Sequence, residues 1–184
     1  MGRIRGLTGG TGAILAVLGR RCRSCGRVSG VGPDGLCEDC GRDLAPRTGG
    51  YCPRCGELYD DSESSPHPCA ECLRAAPPWS GFFFHGEYTG RLREMILGLK
   101  FNDRIGTLAL LGSFLARAGR TAGLGGVDVV LPVPLHYKRL RERGYNQSLE
   151  LARALARERG WPLDAHGLVR VRQTIPQTGL TRAG

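Results

Sequence analysis

Long apolar runs are missing from this chain of 184 residues. No stretch approaches the roughly 18–20 apolar residues that a membrane-spanning helix needs, so we expect no membrane insertion. The most apolar segment near the start, residues 13–18, is short for a signal peptide, is followed by Arg20 and Arg21, and lacks a small-x-small cleavage site. We therefore expect a cytoplasmic protein in which residues 1–21 form an apolar helix or leader.

Lysine is also scarce, because 24 of the 26 basic residues are arginine. The formal charge of +9 is unevenly spread along the chain. Residues 22–80 hold six Arg against nine Asp and Glu, giving −3, whereas residues 81–184 hold 14 Arg and two Lys against eight acids, giving +8. Since arginine binds phosphate in a bidentate manner, a phosphorylated ligand or a nucleic acid is a plausible partner.

Three zones divide the chain. Residues 22–76 are rich in Cys, Gly, Pro and Asp and show little periodicity, which indicates a small domain of turns. After Pro77 and Pro78 the pattern changes to that of an ordinary α/β domain, residues 77–184. In chain order, the patterns predict a strand at 82–88, helices at 90–100 and 104–118, a buried strand at 127–133, a long basic helix that ends at Gly160, and a short strand at 168–171. The fold class predicted is therefore α/β, with a small zinc module followed by a mostly parallel sheet.

All eight cysteines fall in Cys-x-x-Cys pairs. Two intervening residues allow a tight turn to aim both sulfurs at one tetrahedral ion, and a second pair completes the site. With no water position left open, the zinc ions would be structural. A disulfide scaffold is the alternative, but the missing signal peptide argues against it. The predicted ligands of two zinc ions are Cys22, Cys25, Cys37, Cys40, Cys52, Cys55, Cys69 and Cys72.

The assignment of pairs to ions stays open at this stage. Consecutive pairing needs the shortest loops and is favoured over interleaved pairing. His67 could substitute as a ligand, although a solvated loop histidine fits its position better. DNA binding by this module alone is weak, because its −3 charge becomes more negative with about −2 from each Cys₄ zinc centre.

The segment 127–147 carries the second candidate site. Its strand ends in Pro132-Val133-Pro134, and the carboxyl ends of parallel strands are where open α/β folds bind ligands. Arginines and the run Gly144-Tyr145-Asn146-Gln147 follow. The alternative is a strand, a loop and a basic solvated helix without a ligand.

Taken together, these motifs resemble the ComF family of competence-associated proteins, which is similar to type I phosphoribosyltransferases. The resemblance covers Cys22 to Arg182 and rests on the paired cysteines, YTGRLREMILGLKF, VLPVPLHYKRLRERGYNQ and RVRQTIPQTGLTR. It implies a central parallel sheet that binds phosphoribosyl pyrophosphate (PRPP), with Mg²⁺ in a full-length relative. The residues matching the family's pyrophosphate site are Pro132, Val133, Pro134, Arg143, Gly144, Asn146 and Gln147.

The resemblance also implies a mobile loop that covers this site. Arg170 matches it, and the residues expected to be catalytic are Arg172, Thr174 and Gln177. Arginines would neutralise the departing pyrophosphate while the closed loop excludes water.

One family feature has no counterpart in the sequence. Type I phosphoribosyltransferases hold the ribose phosphate with an acidic pair and a Thr/Gly loop that opens a helix. The adjacent pair Asp60-Asp61 lies in the cysteine zone, and the chain ends at Gly184 before such a loop. We therefore expect a member incomplete at its carboxyl end, inactive in phosphoribosyl transfer as it stands, with an unknown acceptor.

Three functions remain at this stage. The first is a phosphoribosyltransferase-class protein of DNA uptake, as the resemblance implies, acting with competence proteins. The second is a non-enzymatic adaptor that binds single-stranded DNA or a partner through the basic residues 138–159 and the zinc module. The third is a nonfunctional fragment.

Overall fold

The computed structural model describes residues 20–32, 34–101 and 105–174. Their helices are α1 (Glu38–Asp43), α2 (Ala70–Arg74), α3 (Gly90–Phe101), a 3₁₀ turn (Ile105–Thr107), α4 (Leu108–Thr121), α5 (Tyr137–Arg143) and α6 (Gln147–Arg159). Within these ranges none of the helices is both long enough and apolar enough to cross a membrane. The amino-terminal helix predicted over 1–21 lies almost wholly outside the described residues.

The main core joins the first cysteine zone to helices α3 and α4. Leucines and a methionine on one face of α3 meet the apolar face of α4 at helical spacing. Leu36, Leu44 and three cysteines of the first zone close the same cluster, which therefore contains both sulfur and hydrocarbon. The buried helical members are Leu92, Met95, Leu99, Leu110, Leu111 and Phe114.

His85 links the first cysteine zone to α4. Its ring stacks on Phe114 with centroids 4.0 Å apart, and its Nε2 lies 2.9 Å from the carbonyl oxygen of Leu44. Burial lowers the pKa of this imidazole. A neutral ring packed on an aromatic face is consistent with a structural role at this junction.

Helices α4 and α6 lie against each other at a close crossing. A Cβ atom on Gly112 would lie only 2.4 Å from the Cβ of Ala154, so glycine is what allows the two helices to approach. Leu155 and Ala156 are buried on the same helix as Ala154. The pair of helices positions the start of α6, where the second candidate site lies.

The helix predictions are confirmed with shifted boundaries. The predicted 90–100 helix is α3, and the predicted 104–118 helix appears as the 3₁₀ turn and α4, with Arg104 outside the described residues. The single basic helix is two helices, because Gly144 adopts a left-handed conformation (φ 76°) and ends α5. Gly160 ends α6 as predicted, also with a positive φ.

The strand predictions are not confirmed in the described residues, which contain only isolated bridges. Segment 82–88 is not a strand, because its backbone bonds separate loops: Phe82 N–H donates to Pro53, and the His85 carbonyl accepts from Arg47 N–H. Segment 168–171 is exposed and irregular. The predicted parallel sheet is therefore not confirmed.

Segment 127–133 retains one trace of parallel pairing. Val130 N–H donates to Pro162 O (2.8 Å), and its carbonyl accepts from Asp164 N–H (3.1 Å), which forms a parallel bridge to Leu163. Pro132 cannot donate a hydrogen bond, so it limits the extension of this pairing into a ladder.

Candidate metal centres and candidate ligand turn

The first cysteine pair is held in a tight turn by its own backbone. Cys22 N–H donates to the Arg27 carbonyl (2.9 Å), and Gly26 N–H donates to the Cys22 carbonyl (2.9 Å). Gly26 has a φ of 74°, a conformation that disfavours a side chain. The turn therefore presents the sulfurs of Cys22 and Cys25 to the same side.

The third pair repeats this turn. Cys52 N–H donates to the Glu57 carbonyl (2.8 Å), Gly56 N–H donates to the Cys52 carbonyl (2.9 Å), and Gly56 has a φ of 83°. An isolated antiparallel bridge lies at the base of each turn, Arg21 with Val28 and Tyr51 with Leu58. We call residues 21–44 ribbon 1 and residues 51–74 ribbon 2.

The second half of each ribbon begins a short helix. Cys37 precedes α1, and its N–H donates to the Cys22 sulfur (3.3 Å). Cys69 precedes α2, and its N–H donates to the Cys52 sulfur (3.4 Å). Each helix carries the fourth cysteine one turn further on, so the chain direction brings four sulfurs together.

The sulfur spacing fits zinc. In each ribbon the four sulfur atoms lie within 4.8 Å of one another, and the grouping is consecutive. The Cys25 and Cys37 sulfurs are 3.8 Å apart and those of Cys55 and Cys69 are 3.7 Å apart, beyond a disulfide bond of about 2.05 Å. A tetrahedral zinc ion with Zn–S bonds of about 2.3 Å separates its sulfurs by about 3.8 Å. The two tetrads therefore suit two structural zinc ions.

Equivalent thiols of the two ribbons have similar electrostatic surroundings. Burial opposes ionisation of Cys22 and of Cys52, but backbone hydrogen bonds outweigh it and lower the pKa of each to about 6. Burial raises the pKa of Cys40 to about 12, and it raises that of Cys72 as well. Each tetrad thus contains one thiol whose pKa favours the thiolate and one whose deprotonation a bound zinc ion would have to drive.

The ribbons differ at the second residue after the Cys-x-x-Cys pair. In ribbon 1 this residue is Arg27, whose Nε lies 3.5 Å from the Cys25 sulfur and whose Nη2 lies 3.8 Å from that of Cys37. A hydrogen bond from Arg27 lowers the pKa of the Cys25 thiol. In ribbon 2 it is Glu57, whose side chain raises the pKa of the Cys69 thiol.

His67 is not part of either tetrad. Its Nδ1 lies 2.9 Å from the Ser65 carbonyl, and its ring packs against Tyr59 with centroids 4.5 Å apart. The Tyr59 hydroxyl donates to the His67 carbonyl (2.7 Å). The histidine therefore supports the loop of ribbon 2.

The second candidate site is the turn between α5 and α6. The Asn146 side-chain amide donates to the Val133 carbonyl (3.0 Å), and Ser148 N–H donates to the Asn146 oxygen (3.0 Å). Arg143 Nη1 donates to Gln147 Oε1 (3.1 Å). The predicted residues around Val133 and those of 143–147 thus lie together, and we call them the ligand turn.

This turn is anchored to α3. The Tyr145 hydroxyl and the Gln147 amide both donate to the carbonyl of Leu99, near the end of that helix. Pro132 is buried, whereas Val133 is exposed. The anchoring fixes the backbone of 143–147 beside the exit of segment 127–133.

The residues predicted to be catalytic are not brought to this turn within the described part of the chain. Thr174 accepts a hydrogen bond from Arg170, and Arg172 lies on the same exposed segment. Gln177 lies outside the described residues. Their predicted role stays a prediction.

Two residues with structural importance escaped the sequence analysis. Arg27 would have been found by aligning the two ribbons, since it occupies the position of Glu57. Arg47 donates to the carbonyls of Gly49, Gly50 and Tyr59 and to the Glu87 carboxylate, and no sequence pattern marks it.

Comparison with known proteins agrees with this geometry. The double zinc ribbon domain family matches residues 13–79. The chain is 36% identical to DNA utilization protein YhgH of Salmonella typhi over 118 residues. This aligned region covers 62% of this chain and 52% of the relative. It is 34% identical over 117 residues to Competence protein F of Haemophilus influenzae, covering 61% and 51%.

The double zinc ribbon match and these two relatives support the assignment to the ComF family that the sequence motifs indicate. The chain spans about half the length of the curated relatives it matches. A further relative is DNA utilization protein YhgH of Escherichia coli (strain K12), which is 34% identical over 114 residues, or 60% of this chain and 50% of that protein. No solved structure matches the chain.

Proposed function

We propose that this ComF-family chain serves DNA uptake or DNA utilization in the cytoplasm, with two structural zinc ions and a basic helix, α5, that binds single-stranded DNA. The names of its relatives, DNA utilization protein and Competence protein F, support this role. The proposal includes the division of the chain into residues 1–21, 22–76 and 77–184. It assigns the DNA-binding surface to the third of these zones.

The observation that carries the proposal is the chemistry of α5, on which Lys138 and Arg141 are exposed and Arg139 is half-buried. Within the described part of the chain, Lys138, Arg139 and Arg141 form no ion pair with an acidic side chain. Tyr137, at the start of the same helix, is 59% exposed. Cations that are not neutralised locally bind phosphates, and an exposed aromatic ring offers a surface on which a base stacks.

The charge distribution favours this helix over the ribbons. Residues 22–80 carry −3 before metal binding, and each Cys₄ zinc centre adds about −2. A phosphate backbone would be repelled there and attracted to the zone of +8.

The test is fluorescence anisotropy with a labelled single-stranded oligonucleotide across a series of salt concentrations. We expect Arg139→Glu and Arg141→Glu each to weaken binding and to reduce the slope of log K against log salt by about 0.7 per lost phosphate contact. The matched control is Arg153→Glu, the same charge change at a residue already paired with Glu150 (2.5 Å). Equal losses in all three variants, or none, would show that α5 is not the DNA surface.

A second candidate function is binding of PRPP at the ligand turn. The hydrogen bond from Asn146 to the Val133 carbonyl supports it, since this bond joins the two motifs that the family resemblance assigns to pyrophosphate. The positive φ of Gly144 and the nearby Arg143 suit a turn that faces an anion. This candidate concerns binding only.

Isothermal titration with PRPP tests this candidate. We expect binding by the unmodified chain, and a loss of about tenfold in Asn146→Ala, since the hydrogen bond to Val133 contributes about 1.5 kcal/mol. Ser62→Ala, which truncates an exposed polar side chain of ribbon 2, should bind as the unmodified chain does. The absence of heat with the unmodified chain would reject the candidate.

A further inference from the structure

We propose that the two ribbons hold their zinc ions unequally: ribbon 2 loses its ion first and unfolds locally, while ribbon 1 keeps its ion. The proposal concerns metal retention and is independent of DNA binding, so either can fail without the other. It rests on two separate differences between ribbons whose backbone turns are otherwise alike, namely the charge beside the sulfurs and the packing around them.

The first difference is charge. A Cys₄ zinc centre carries a net charge of about −2, which a neighbouring cation stabilises and a neighbouring anion opposes. In ribbon 1 the Arg27 guanidinium reaches two of the four sulfurs and is held in place by Asp39 (2.7 Å). In ribbon 2 the matched residue is Glu57, whose carbonyl accepts from Cys52 N–H (2.8 Å), so a carboxylate replaces the guanidinium next to this turn.

The second difference is packing. Three cysteines of ribbon 1 lie in the same buried cluster as Leu99, Leu110 and Phe114, so the site is supported by the main core. In the part of the chain that the structure describes, the buried cluster of ribbon 2 contains only Cys52, Cys69 and Cys72, with Cys55 and Tyr59 packed beside them. Because this cluster contains no buried aliphatic or aromatic side chain, metal binding must supply most of the folding free energy of ribbon 2.

An aromatic segment contacts ribbon 2 from outside and can report on it. Phe82 N–H donates to the Pro53 carbonyl (2.8 Å), and the Trp79 indole donates to the Arg54 carbonyl (2.6 Å). Both acceptors lie inside the Cys52–Cys55 turn. Trp79 is already 52% exposed, so loss of this turn would change its fluorescence by breaking the indole hydrogen bond and altering the surroundings of the ring.

The experiment follows zinc transfer from the full chain to an excess of the chromogenic chelator 4-(2-pyridylazo)resorcinol. The chain has two tryptophans, so Trp161→Phe leaves Trp79 as the single reporter. We expect two phases of one zinc equivalent each, with the change in Trp79 fluorescence confined to the fast phase. This readout needs no change in either ribbon.

Charge reversals then assign the phases. Glu57→Arg should slow the fast phase about tenfold and leave the slow phase unchanged, and Arg27→Glu should speed the slow phase about tenfold. The matched controls are Glu63→Arg and Arg20→Glu, which make the same charge changes at exposed positions in ribbon 2 and directly before ribbon 1. Both controls should leave the two rates within about twofold of the unmodified chain.

Several results would overturn the proposal. Release of both ions in one phase, or a Trp79 change in the slow phase, would show that ribbon 2 is not the weaker site. An unchanged rate of the fast phase in Glu57→Arg would show that the charge beside the sulfurs does not cause the difference between the two ribbons. If that variant does not fold, the two-phase release and the Trp79 signal of the Trp161→Phe chain still decide the order of loss.

Discussion

Arg47 joins three separate stretches of the chain through one side chain. The side chain is only 11% exposed, and its guanidinium donates to the carbonyls of Gly49, Gly50 and Tyr59 as well as to Glu87. The planar guanidinium of arginine has five N–H donors in a fixed arrangement and can bond several acceptors at once. The ammonium group of lysine is a compact charge whose three donors lie on one nitrogen. The link between the ribbons and the segment before α3 therefore depends on arginine at this position.

We predict that Arg47→Lys keeps the charge but lowers the free energy of unfolding by about 3 kcal/mol, since at least one charged hydrogen bond to a buried carbonyl is lost without replacement. Urea denaturation followed by circular dichroism measures this change. Arg42→Lys is the control, because Arg42 is 71% exposed and should change stability by less than about 0.5 kcal/mol. Equal effects at both positions would contradict the assigned role of Arg47.

At the scale of elements, the crossing of α4 and α6 determines where the ligand turn lies. The turn precedes α6 directly, and its side chains also bond the end of α3. Any change that separates α4 from α6 should therefore move Asn146 relative to Val133. Gly112 is the position at which this separation can be tested.

We predict that Gly112→Ala destabilises the chain by about 1–3 kcal/mol despite its better helix propensity, because the added methyl group would overlap Ala154. Ala154→Gly in the same chain should restore part of the loss by removing the opposing methyl group. Thermal unfolding measures both effects.

Gly119→Ala serves as the control on the same helix. A Cβ at Gly119 would find its nearest neighbour at 3.5 Å, an ordinary contact, so this variant should gain up to about 1 kcal/mol from helix propensity. If Gly112→Ala were equally stabilising, the close crossing would not exist in solution.

For the molecule as a whole, the most successful predictions from the sequence concern features that local backbone geometry controls. Cysteines three residues apart with a following glycine can form few turns, so the two tetrads were predictable. Gly160 marked the end of α6 for the same reason. The break between α5 and α6 was missed, although Gly144 followed by Asn146 carries the signals of a helix end and a helix start.

The strands could not be predicted reliably because apolar runs do not specify their partners. The segment 82–84 is apolar, but its aromatic rings pack on Tyr51 and on each other instead of entering a sheet. Segment 127–133 pairs only through Val130 in the described residues. Which neighbour an apolar segment meets depends on the whole chain and not on its own pattern.

The burial of ribbon 1 in the main core also has a consequence for the order of events at the ribosome. Cys22 to Cys40 are synthesised before Leu92 to Phe114, the residues that later cover them. The nascent chain can therefore bind its first zinc ion while the sulfurs are still accessible to water. Helices α3 and α4 then pack on a ribbon 1 that has already folded. In zinc-starved cells these helices would be synthesised while ribbon 1 is still unfolded, and we expect more of the newly made protein to be degraded.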